Sequence, residues 1–132
     1  MNQGKYIFAQ LIEFLSHNDF ISCVAKYQGN YRVKTFTCWH QLLYMVFGQL
    51  ANRESLSDLI ICLQSQQNKS YHLGMGTGTS KSNLANANEK RDYRIYESFA
   101  AILVDQAQKL AMGSSTCELP IIVDVYALDA TV

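Results

Sequence analysis

Apolar residues recur at three- and four-residue spacing over most of residues 1–112, the period of helices buried on one side. Ile7, Phe8, Leu11, Ile12 and Leu15 share one face of a helix predicted over 5–15. A shorter helix over 19–27 carries Phe20, Val24 and Tyr27, and Gln28-Gly29-Asn30 punctuates it. Tyr31 to Thr37 alternates polar and apolar and is basic, which predicts an extended connector or a short strand. The clearest helix spans 38–51, where Trp39, Leu42, Leu43, Val46, Phe47 and Leu50 form a continuous stripe. Ser55, with Asp58 three residues on, approximates a capping box. It opens a helix over 55–66 with Leu56, Leu59, Ile60 and Leu63 facing inward. A Gly- and Thr-rich loop covers 74–79, and the segment before it also reads as helix. Ser80 caps a short helix from Lys81 to Lys90. The longest helix runs from about Asp92 to Met112, with Tyr96, Phe99, Ala100, Leu103, Ala107 and Leu110 on its buried side and Gly113 at its end.

After Gly113 the pattern changes. Residues 113–120 read as a linker closed by Pro120, the only proline, and residues 121–132 contain a run of branched residues typical of a strand. The expected fold is mainly α. It is a helical bundle over 1–112 with a helix-turn-helix-like pair at 55–66 and 80–90, followed by one C-terminal strand. A single apolar strand has no ladder partner, so the last segment is expected to be the first strand of a further domain.

Composition narrows this only slightly. The 132 residues suit one domain, and 48% are hydrophobic, which excludes a chain disordered by composition. The net charge of zero argues at first against a nucleic-acid partner. It hides a split, however. Residues 26–94 hold nine basic and four acidic side chains, whereas residues 95–132 hold one basic and five acidic. The longest apolar run, Leu42 to Phe47, is far below the ~20 residues that span a bilayer. No signal peptide is recognisable, so a cytoplasmic chain without a membrane partner is expected. Cys23, Cys38, Cys62 and Cys117 form no C-x-x-C pair and are expected as reduced thiols packed among apolar groups.

Few constellations carry chemistry. The loop at 74–79 fails the phosphate-loop pattern, since Met75 and Ser80 stand where its two glycines belong. The helix start at Ser80, Lys81 and Ser82 is still a fair anion site. The helix it opens is densely polar. Ser80, Lys81, Ser82, Asn83, Asn86, Asn88, Lys90 and Arg91 suit phosphate oxygens and base edges. The basic middle segment adds Arg32, Lys34, Arg53 and Arg94 to these candidate DNA contacts. The three histidines, His17, His40 and His72, form no nucleophile–base set. Asp124 and Asp129 are five apart on the predicted strand, which sends them to opposite faces, so they cannot jointly hold a metal without a bulge.

Several segments together resemble a known family. They are Gly4-Lys5-Tyr6-Ile7-Phe8, Phe36-Thr37-Cys38-Trp39-His40-Gln41-Leu42-Leu43, Phe47-Gly48-Gln49-Leu50 with Arg53-Glu54-Ser55-Leu56, Tyr71-His72-Leu73-Gly74, Ser82 to Glu89 with Arg91 to Tyr96, and Val125 to Asp129. Over essentially the whole chain they resemble the N-terminal region of bacterial insertion-sequence transposases of the type-four family. The resemblance implies a helical domain ahead of an RNase H-like catalytic domain. That domain cleaves and joins DNA with a DDE carboxylate triad and Mg²⁺. It implies that Asp129 is the first catalytic Asp and would hold metal only with the rest of that domain present, although family members often have Ser where this chain has Ala130. The second Asp and the Glu have no counterpart, so the chain is expected to be truncated just after the first Asp. It is then not an enzyme by itself and has no cofactor of its own, Mg²⁺ belonging to the full-length family. The expected partners are double-stranded DNA at terminal inverted repeats and a second copy or the full-length transposase, with nucleoid association in a bacterial cytoplasm. The competing expectation is a dimerisation or interaction scaffold that touches no DNA.

Overall fold

A computed structural model describes residues 7–113. Seven helices follow one another: α1 (Ile7–Ile12), α2 (His17–Lys26), α3 (Cys38–Leu50), α4 (Leu56–Gln64), α5 (Gln67–His72), α6 (Lys81–Lys90) and α7 (Arg94–Gly113). Among the described residues there is no strand. The start of the predicted first helix, most of the linker over 113–120, the strand over 121–132 and Asp129 lie outside the described residues. No helix among them is long and apolar enough to cross a membrane.

Caps set most boundaries. The side chains of Ser16, Thr37, Ser55 and Ser80 each accept a hydrogen bond from the third residue of the helix that follows, which satisfies one orphan donor apiece. Thr37 forms a full capping box, with the His40 ring accepting from the Thr37 backbone. The Ser16 cap explains why the first helix ends at Ile12 rather than at residue 15. The chain must leave α1 to place Ser16, and it does so through turns closed by Phe14 N on Leu11 O and Leu15 N on Ile12 O. The helix ahead of the glycine loop is likewise not continuous with α4. Ser65 donates back to Cys62 O at 2.7 Å, the chain turns at Gln66, and α5 begins afresh.

Two further expectations change. Residues 31–37 form neither an extended connector nor a strand. Arg32 adopts a left-handed φ of 57°, and turns closed by Tyr31 N on Gln28 O and Val33 N on Asn30 O fold the segment onto itself. In α7 the predicted buried side holds only near the start. Phe99 is buried and Leu103 half-buried, but Ala100, Ala107 and Leu110 are exposed. α2 packs against the proximal part of α7, and the distal turns run past the core.

The core has two lobes around α3. One gathers Leu43, Tyr44, Leu59, Ile60, Leu63, Met75 and Leu84 from α3, α4, the glycine loop and α6. The other gathers Phe20, Cys23, Val24, Cys38, Ile95 and Phe99 from α2, α3 and α7. Trp39 and Leu15 pack against both. Because α3 has neighbours on several sides, its deepest positions include Gln41, Tyr44 and Gly48, off the apolar stripe that marks it in sequence. The glycine loop is pinned rather than loose, since Met75 is 1% exposed within the first lobe. Cys23 and Cys38 are buried free thiols and Cys62 a half-buried one, as small apolar groups.

Gly29 abuts the second lobe. A Cβ there would stand 2.5 Å from Ile95 Cδ1 and 2.7 Å from Cys38 Sγ. Gly29→Ala is therefore expected to cost about 1–3 kcal/mol through overpacking, read as a lower denaturant midpoint at unchanged slope.

Candidate nucleic-acid interface

α6 has two unlike faces. Leu84 and Ala87 are buried toward α3 and α4, while Lys81, Ser82, Asn83, Asn86 and Lys90 are exposed. At 3.6 residues per turn, Ser82, Asn83, Asn86 and Lys90 fall within about one third of the helix circumference, a single polar stripe. α4 and α6 pack together, with α5 and the glycine loop between them in sequence.

Beside this stripe the folded 27–36 segment closes one wall of an open groove of about 530 Å³. Lys34, Asn83, Asn86, Lys90 and Arg91 line it, so five of the candidate DNA contacts meet there although Lys34 and α6 are far apart in sequence. Arg32 lies on the same segment, with its guanidinium 5.1 Å from the Tyr31 ring centroid. Arg94 sits over Tyr27 at 4.8 Å and pairs with Asp92 at 2.6 Å. That pairing holds the Asp92 carboxyl below its ordinary range and the guanidinium above its own. Arg53 stands apart at the turn between α3 and α4, 3.7 Å from Asp58, and does not line the groove.

Arg91 lines the groove and is less open than the other cations there. It is half-buried, and its guanidinium turns inward, donating from Nη1 to Gln41 Oε1 at 2.9 Å and from Nη2 to the Phe36 carbonyl. Gln41 is 4% exposed. Its oxygen also accepts from the Tyr96 hydroxyl at 2.5 Å, and its amide nitrogen donates to Asn88 Oδ1 at 2.7 Å. Asn88 is thereby turned toward α3. Arg91 thus ties the groove wall at Phe36 to Gln41 on α3.

The aromatic residues Tyr27, Tyr31 and Phe36 also line the groove and were absent from the candidate set. The adjacent pairs Lys26-Tyr27 and Tyr31-Arg32 are the signal in the sequence that marks two of them. Among the described residues no three of His, Cys, Asp and Glu converge in a way that would hold a metal ion.

A family model for a domain of unknown function, DUF4372, matches residues 3–76. No curated protein and no solved structure matches the chain. The matched stretch includes the 27–36 wall of the groove, whereas α6 and α7 follow it.

Burial around the Gln41 node pushes the Tyr96 phenol well above its ordinary pKa, and burial also raises that of Tyr44. A raised phenol contributes stability that is complete below the ordinary value of 10.0 and is lost as pH climbs past it. Stability measured by denaturant should therefore fall from about pH 10 upward. In Tyr96→Phe the fall should be shallower, with about 1 kcal/mol lost at neutral pH with the bond to Gln41.

Proposed function

The chain belongs to DUF4372, a family of domains of unknown function, and from that premise we propose that it binds double-stranded DNA as the N-terminal module of an insertion-sequence transposase. One observation carries the reading: the exposed stripe of α6, seated on α4 and flanked by the basic 27–36 segment. A helix with Asn83 and Asn86 outward and Lys81 and Lys90 toward its ends has the chemistry of a recognition helix. Amides suit adenine edges and ammonium groups suit phosphates. Arg32, Lys34 and Arg94 add cations along the flank. Arg94 meets Asp92 through Nε and Nη2, so its Nη1 hydrogens can serve a phosphate with the pair intact. The sequence resemblance to type-four insertion-sequence transposases supplies the DNA class, terminal inverted repeats. No catalytic step is part of this reading.

A second reading, a scaffold that joins copies of the chain or a full-length transposase, rests on apolar exposure. Ile7 is 77% exposed, Phe14 79%, Leu110 76% and Met112 89%. Light scattering that shows a monomer at all concentrations would remove it.

The DNA reading is tested by anisotropy titration of a labelled duplex at several salt concentrations. Affinity should fall with salt along a log–log line, and Lys81→Ala and Lys90→Ala should each flatten that slope by about one. Absence of binding at low salt, or affinity indifferent to salt, would end the reading.

A further inference from the structure

We propose that the groove between the 27–36 segment and α6 takes an unpaired DNA strand, with bases laid on its aromatic rings. This rests on reading the same face as a nucleic-acid surface, and it names a second form of nucleic acid for it. Three rings line the groove, Tyr27, Tyr31 and Phe36. Each carries a cation: Arg94 is 4.8 Å and Lys26 5.3 Å from the Tyr27 centroid, Arg32 is 5.1 Å from Tyr31, and Arg91 is 5.5 Å from Phe36. Among the described residues the cation–π pairs fall on these three rings alone.

Duplex DNA on this face would leave the ring faces unused. Its bases are stacked on one another and show a groove-binding protein only their edges, whereas an unpaired strand offers ring faces. Stacking platforms set in a cationic channel are the general means of holding a single strand. Tyr31 is the most available platform, with 67% of its surface exposed. The backbone needs are met alongside the rings. Lys34 and Lys90 line the groove, and Arg91 uses two of its five N–H donors internally. No carboxylate among the described residues lies within ion-pairing distance of Arg91, and Asp92, the one acid lining the groove, is already engaged by Arg94. Asn83 and Asn86 reach the groove from the α6 wall and supply donors and acceptors for base edges. Turns with left-handed Gln28 (φ 53°) and Arg32 (φ 57°) shape the wall that presents the rings.

The test titrates the full chain separately against a labelled oligo-dT strand and a labelled blunt duplex. Oligo-dT is expected to bind. Tyr31→Ala should lower the oligo-dT affinity roughly tenfold and the strand-to-duplex affinity ratio with it, while Tyr31→Phe restores both because stacking needs the ring and not the hydroxyl. Tyr31 is outside the core, and an unchanged thermal melt of Tyr31→Ala confirms that the fold is kept. Failure of oligo-dT to bind, or full affinity in Tyr31→Ala, overturns the strand proposal. If the duplex still binds with its salt slope, only the strand proposal falls; if neither probe binds at low salt, the DNA reading falls too.

Discussion

The Gln41 amide sets the relation of the other parts. Its oxygen receives the Arg91 guanidinium and the Tyr96 hydroxyl together, and its nitrogen binds Asn88. A half-buried guanidinium without a carboxylate must be satisfied by neutral oxygens or it destabilises the fold. Gln41 from α3 and the Phe36 carbonyl from the folded loop provide them. One side chain at the end of α6 is thereby bonded to α3 and to the groove wall, and the same amide reaches the start of α7. The width of the groove is consequently a property of the core rather than of a surface loop.

The two lobes of the core explain why that node sits where it does. Gln41 lies on α3 between Cys38, which belongs to one lobe, and Tyr44, which belongs to the other. Trp39 bridges them. A polar group at the seam interrupts neither lobe, and its donors and acceptors are met from three directions.

The helices were legible in the sequence where a cap and an apolar face agree. Ser55 with Leu59, Ile60 and Leu63, and Ser80 with Leu84 and Ala87, are such places. Departures came where a distant partner decides. The inward turn of Arg91 depends on Gln41, fifty residues earlier and embedded in an apolar helix, so local pattern reads Arg91 as one more surface cation. The alternation of residues 31–37 resembles a strand, but no neighbouring strand exists among the described residues, and the left-handed Arg32 folds the segment instead. The stripe on α6 could be read from the chain directly. The groove beside it could not, because its walls come from segments some fifty residues apart. The zero net charge was uninformative for a related reason: it averages a basic middle with an acidic end.

α7 is packed at one end only. Ile95 and Phe99 are buried, while each described residue from Val104 onward is exposed. A stretch this short has little helical stability of its own, since nucleation is costly and each added turn repays it slowly. The Lys109–Asp105 pair at 2.9 Å adds only about 0.2–0.5 kcal/mol. The distal turns therefore gain little from packing and depend for their helical order on the gripped end. One continuous helix thus has a packed part and an unpacked part. A molecule that covered Val104, Leu110 and Met112 would act on coil–helix equilibrium as much as on contact area, so helix content itself would report its arrival.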